Sequence, residues 1–202
     1  MWTIQEEAFW RTFEKRGVLR ADGRRLSLGR EFRRQYRWLR QTMKERVAGY
    51  GGRPPIWCWL EKPDMRGIWG LGGVPVVRAE LEIPSERVLV SDFELWHVPL
   101  NNGYLAAERA DDEAFDREAE ERTGRPFPRW YEEDFPEDLS AKVLDSWERV
   151  FPDRWGELVD PEWHGDGRHD RRLQACVEEI RPGDVVRVER FVTRRGAWEN
   201  GR

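Results

Sequence analysis

The sequence predicts an α+β fold: a mixed or antiparallel sheet with helices packed on it, carrying an acidic helical insertion. Three observations lead there. Short runs at 56–60, 173–180 and 185–191 are rich in large apolar residues and have strand length. Segments near 6–16, 30–47 and 139–151 repeat apolar residues at helical spacing. The two kinds of run fall in separate groups along the chain.

Trp2-Thr3-Ile4 reads as a short first strand. A helix over 6–16 follows, with acids in its first turn, Phe9, Trp10 and Phe13 as its apolar stripe, and Gly17 as its stop. The second helix, 30–47, repeats Phe32, Tyr36, Leu39, Met43 and Val47, and the Gly/Pro stretch 49–55 ends it. Ile56-Trp57-Cys58-Trp59-Leu60 is a strand with large residues on both faces, as a central strand has. Residues 76–83 and 87–90, separated by Pro84-Ser85-Glu86, are expected to pair as an antiparallel hairpin. Residues 106–137 are acidic and punctuated by proline, and read as one or two exposed helices on an insertion. Leu139, Val143, Trp147 and Val150 form the core face of a helix that Pro152 terminates. Two last strands, 173–180 and 185–191, are joined by the tight turn Arg181-Pro182-Gly183-Asp184. The expected organisation is a single α+β domain over 1–193, with 106–137 as an insertion and 194–202 as a frayed tail.

With 202 residues the chain is long enough to bury a real core. Charged residues make up 37% of it, which alone would oppose folding. The 12 Trp, 9 Phe and 4 Tyr decide the matter, because each large aromatic can bury about 150–250 Å². The expectation is an aromatic core inside an ionic surface. A net charge of −4 supplies no general pull toward nucleic acid or an anionic membrane. Residues 11–46 are basic and 108–138 acidic. Either the two segments neutralise each other, or the basic helix at 30–46 docks a protein or RNA partner. No apolar run approaches the roughly 20 residues of a membrane helix, and the N-terminus lacks a signal peptide's basic and apolar regions. Cys58 and Cys176 sit in apolar runs and read as reduced, buried thiols. A cytoplasmic protein without a membrane partner is expected.

The densest group of chemically capable residues is 91–102, which directly follows the strand at 87–90 and contains Asp92, His97, Asn101 and Asn102. A carboxylate beside an imidazole fixes its tautomer and raises its basicity, so Asp92 and His97 are candidates for proton transfer. Their contact needs a bend at Trp96-His97, which the nearby Pro99 allows; the plainer reading is a histidine that caps or cross-links the loop by hydrogen bonding. Asn101 and Asn102 can recognise a ligand through their amides, or form a turn with Gly103. Trp57 and Trp59 share a strand face, and either stack a planar or cationic ligand or serve as core. Lys62 and Arg66, on the loop that leaves this strand, are placed to hold a phosphate or carboxylate, unless the loop is merely solvated. His164, Asp166, His169 and Asp170 lie in a Gly-rich loop without the spacing of a zinc site, and no metal is expected.

A series of landmarks resembles the bacterial family catalogued as domain of unknown function 3841. They are Trp2-Thr3-Ile4-Gln5, Tyr36-Arg37-Trp38-Leu39, Pro55-Ile56-Trp57-Cys58-Trp59 and Lys62-Pro63-Asp64-Met65-Arg66. The series continues through Ser91-Asp92-Phe93, Trp96-His97, Asn101-Asn102, Ser146-Trp147-Glu148-Arg149 and Leu173-Gln174-Ala175. That resemblance implies no activity. The layout is also similar to small ADP-ribosyltransferase-like domains. This second likeness implies NAD as cofactor, held by Thr3 and Gln174, with Glu178, or Glu179 beside it, as the substitute for the late-strand acid. The sequence departs from that pattern at two points: the usual histidine position holds Met1 or Trp2, and Cys176 stands where the acid is expected. Two functions follow as expectations. One is a binding domain for a nucleotide-like or planar anionic ligand, extending to a transferase; the other is a non-catalytic interaction module using the basic helix.

Overall fold

The computed structural model describes residues 1–21, 32–64, 72–124, 136–160, 164 and 171–194. Its main sheet has six strands: β1 (Trp2–Glu6), β3 (Ile56–Trp59), β4 (Pro75–Leu81), β5 (Leu89–Asp92), β6 (Leu173–Val177) and β8 (Val185–Val192). They run in the order β5-β6-β3-β1-β4-β8. The β1–β3, β1–β4, β3–β6 and β4–β8 pairings are all antiparallel. A two-stranded ribbon joins β2 (Leu19–Arg20) to β7 (Glu179–Ile180). The class is therefore α+β.

Two expected pairings are not made. β4 and β5 form no hairpin, because β4 lies between β1 and β8 while β5 borders β6. The turn at 181–184 likewise does not pair the last two long strands: the first breaks at Glu178, its remainder pairs with β2, and β8 lies beside β4. Turn chemistry reports that the chain reverses. Which strand it reverses against depends on contacts distant in sequence.

The chain divides into two compact units, residues 1–27, 40–89 and 174–202 in the first and 28–39 and 90–173 in the second. In the first, α1 (Glu7–Arg16) buries Trp10 and Phe13 and stops at Gly17, whose φ of 69° is cheap only without a Cβ. The C-terminal half of α2 (Arg33–Arg46) adds Met43 to this core. Cys58 and Cys176 are buried and free, and burial pushes the Cys58 thiol up to about 12.

In the second unit, α3 (Phe93–Leu100), α4 (Arg109–Thr123) and α5 (Glu137–Trp147) surround an aromatic core. Phe115, Ala119, Leu139, Val143 and Trp147 are its buried centre, with Trp38, Tyr104 and Leu144 packed against them. The acidic helix α4 is thus built into a core and not simply exposed. Its two buried residues, Phe115 and Ala119, are one helical turn apart and make a narrow apolar stripe on an acidic surface. No described helix is long and apolar enough to cross a membrane.

Candidate ligand-binding face

Side chains alternate between the faces of a strand, so the register of five neighbouring strands decides which residues meet. Trp2 lies opposite both Trp59 and Glu80. Trp59 lies opposite Gln174, and Glu80 opposite Arg187. One continuous row therefore crosses the sheet: Gln174, Trp59, Trp2, Glu80, Arg187. At the usual strand spacing this row is about 19 Å long. A second row on the same face pairs Cys176 with Trp57, Ile4 with Arg78 and Arg78 with Glu189.

The intervening positions point the other way and behave differently. Thr3, Ala79 and Ala175 are 0% exposed and Cys58 is 1% exposed, so that face is dry core. Trp2, Trp57, Trp59, Arg78, Glu80 and Glu189 are only half-buried, while Gln174 and Cys176, at the β6 end of the same face, are 5% and 1% exposed. Large aromatics left half-covered beside charged groups are a usual composition for a ligand surface.

Electrostatics on this face centre on Glu189. Its carboxylate accepts from Lys62 Nζ at 2.7 Å and from Arg78 Nη2 at 2.5 Å, and Arg187 Nη2 lies 2.9 Å away. Lys62 Nζ also sits 5.0 Å above the centre of the Trp2 ring, with the Arg78 guanidinium at 6.0 Å. Arg78 Nη1 donates to the Pro63 carbonyl, tying the loop after β3 to the sheet. The carboxylate of Glu80 makes no hydrogen bond or ion pair among the described residues. Three cations, Lys62, Arg78 and Arg187, thus gather around the Glu189 carboxylate on this face.

Lys62, and then Arg78, hold the Glu189 carboxyl down at about 2, against an ordinary 4.5. A depressed value means that the ionised group stabilises the fold fully above pH 4.5, and that this contribution is lost progressively as pH falls from there to about 2. A carboxyl-carbon NMR titration should therefore show no Glu189 step as pH passes through 4.5. A midpoint near that ordinary value would mean the cluster is not held in solution.

Of the sequence candidates, Trp57, Trp59 and Gln174 share this face, and Lys62 reaches Trp2 and Glu189 on it. Arg66 lies outside the described residues. Thr3 is on the dry face, where its hydroxyl donates to the Trp57 carbonyl at 3.2 Å and accepts from Gln5 Nε2 at 2.8 Å. Glu178 accepts the backbone N–H groups of Gly51 and Arg53 at 2.7 and 2.8 Å, which ties it to the turn after α2.

Asp92, His97, Asn101 and Asn102 belong to the second unit, and there the expected Asp92–His97 pair is not formed. The reason is local. Residues 93–100 are the helix α3 and not a loop, and Asp92 is its N-cap, accepting from Leu95 N at 2.9 Å. The other Asp92 oxygen pairs with Arg171 Nη1 at 3.0 Å, both side chains being almost wholly buried. Five helical positions separate Asp92 from His97, about 140° around the axis. His97 is exposed, and its Nδ1 lies 3.0 Å from the Phe93 carbonyl. The amide pair serves the chain reversal: Asn101 Nδ2 donates to the His97 carbonyl at 2.7 Å, and Asn102, at φ 58°, accepts from Arg34 Nη1 at 3.1 Å. On α2, Arg34 also bonds Ser140 and Arg40 bonds the Gly52 carbonyl, so part of the expected basic docking surface is used within the protein.

Trp2, Arg78, Glu80, Arg187 and Glu189 were not among the sequence candidates. The alternation of Arg78 and Glu80 within an apolar strand was a usable signal, but only the register brings Trp2 and Arg187 to them.

Comparison with protein families matches residues 1–184 to the family described as "Domain of unknown function (DUF3841)". The chain belongs to this family. Among curated proteins and among solved structures, no match is found. The DUF3841 match takes in four of the five strands that carry the tryptophan face and stops just before β8, the strand bearing Arg187 and Glu189.

Proposed function

We propose that the tryptophan face of the first unit binds a planar, nucleotide-like anionic ligand. The observation that carries this reading is the row Gln174, Trp59, Trp2, Glu80, Arg187, with half-buried rings at its centre and hydrogen-bonding or charged groups at both ends. Trp59 and Trp2 offer the stacking surface, with Trp57 beside them in the next row. Gln174, 5% exposed, closes the β6 end of the row beside Trp59. Arg187 and Lys62 attract the anionic group, and Glu80 accepts from ligand hydroxyls. NAD is among the first ligands to test. A transferase extension of this reading uses Glu80 as the carboxylate on the ligand's side, because Glu178 is engaged with the 51–53 turn.

The test is a thermal-shift screen against NAD, other nucleotides and nucleosides, repeated on Trp59→Ala and Trp57→Ala. A ligand at about 100 times its Kd adds about 2.7 kcal/mol to stability, and both variants should lose that shift. A shift that survives in both variants, or no shift from any nucleotide, would overturn the proposal.

A further inference from the structure

The longest strand of the sheet, β8, lies at its edge. It pairs with β4 along its inner side, and among the described residues no backbone partner covers its outer side. Val186 and Val192 are 59% and 58% exposed, among the large apolar side chains most open to solvent. An uncovered eight-residue edge is a template for another strand.

We propose that the chain forms a two-fold dimer by antiparallel pairing of β8 with β8 of a second copy, centred on Val188. The register follows from the strand's own sequence, Val185-Val186-Arg187-Val188-Glu189-Arg190-Phe191-Val192. With Val188 on the axis, Arg187 of each copy lies opposite Glu189 of the other. This is a favourable cross-strand pair, and it occurs twice by symmetry. On the other face Val188 meets its own copy; the regular pairing begins at Arg187, because the register shifts between Glu80 and Leu81 and leaves Val186 as an extra residue. Sliding by one pleat in either direction, with the same sheet face kept uppermost, sets Glu189 against Glu189 or Arg187 against Arg187. Like charges directly opposite are unfavourable, so one register is selected. Each Glu189 already gathers Lys62, Arg78 and Arg187 of its own chain. A further Arg187 from the partner extends a cationic cluster around a carboxylate that stays ionised. The dimer sheet is continuous, and a second copy suits the edge better than an unrelated peptide because its charge order complements itself.

Sedimentation velocity across a concentration series tests this on the full chain. Wild type should move from monomer to dimer. Arg187→Glu replaces both attractive pairs by repulsive ones and should weaken association at least about tenfold. Val188→Lys places two like charges on the axis and should do the same without touching the Glu189 cluster. Glu189→Lys should also be monomeric, but mixed with Arg187→Glu it restores opposite charges at both positions, and the mixture should dimerise where neither variant does alone. If Glu189→Lys fails to fold by circular dichroism, Val188→Lys decides. A wild type that stays monomeric throughout, or a dimer unaffected by both Arg187→Glu and Val188→Lys, would overturn the proposal.

Discussion

Replacing Trp147 by alanine should cost about 3–5 kcal/mol of folding stability. The indole is 0% exposed at the end of α5, within the cluster of Phe115, Ala119, Leu139 and Val143. Trp38 meets it edge-on at 5.3 Å and the Arg34 guanidinium lies 5.5 Å from its ring. Its Nε1 donates to the buried Gly103 carbonyl at 2.7 Å, so truncation leaves both a cavity and an unpaired acceptor. Trp147→Phe is the milder change, because it keeps a six-membered ring in the core while removing the pyrrole ring with its donor. Chemical denaturation should show a large fall in midpoint for alanine and a smaller one for phenylalanine. An alanine variant with a wild-type midpoint would mean that α5 presents another face to the core.

The second large effect is expected at Asp92. Its pair with Arg171 has side-chain exposures of 2% and 7%, and the guanidinium stacks 4.9 Å from the Trp155 ring. Burial makes such a pair costly to break from one side, because the remaining charge has neither water nor counter-ion. Asp92→Ala should cost about 3–5 kcal/mol, with the loss of the α3 cap included in that total. Arg171→Met alone strands the carboxylate. Combining Arg171→Met with Asp92→Asn removes both charges and keeps a capping oxygen, so the double variant should be more stable than either single variant predicts. Additive single effects in that cycle would show that the ion pair is not coupled in solution.

These two sites show what the sequence discloses and what it conceals. The core face of α5 is legible because Leu139, Val143 and Trp147 recur at helical spacing, and Gly17 is legible as a stop because its positive φ needs no side chain. The helix α3 is concealed by Pro99, which reads as a break but stands inside the helix, one residue before its end at Leu100. With the helix hidden, Asp92 looks like a partner for His97, when it is in fact a cap and the counter-ion of Arg171. The aromatic half of the candidate face is legible in Trp57 and Trp59, which are two strand positions apart. Its other half is not, because Trp2, Glu80 and Arg187 come together only through pairings between residues far apart in the chain. Strand periodicity says which residues share a face of one strand and nothing about which strand comes next.

The proposed ligand face is tested most directly by the indole N–H resonances of the tryptophans during a titration with NAD or the best ligand of the thermal screen. Trp2, Trp57 and Trp59 should shift together and saturate with one binding constant. Trp10 and Trp147, buried in the cores of the two units, should stay where they are. Binding that moves Trp147 or Trp10 and leaves Trp57 and Trp59 unchanged would contradict the account and place the ligand elsewhere.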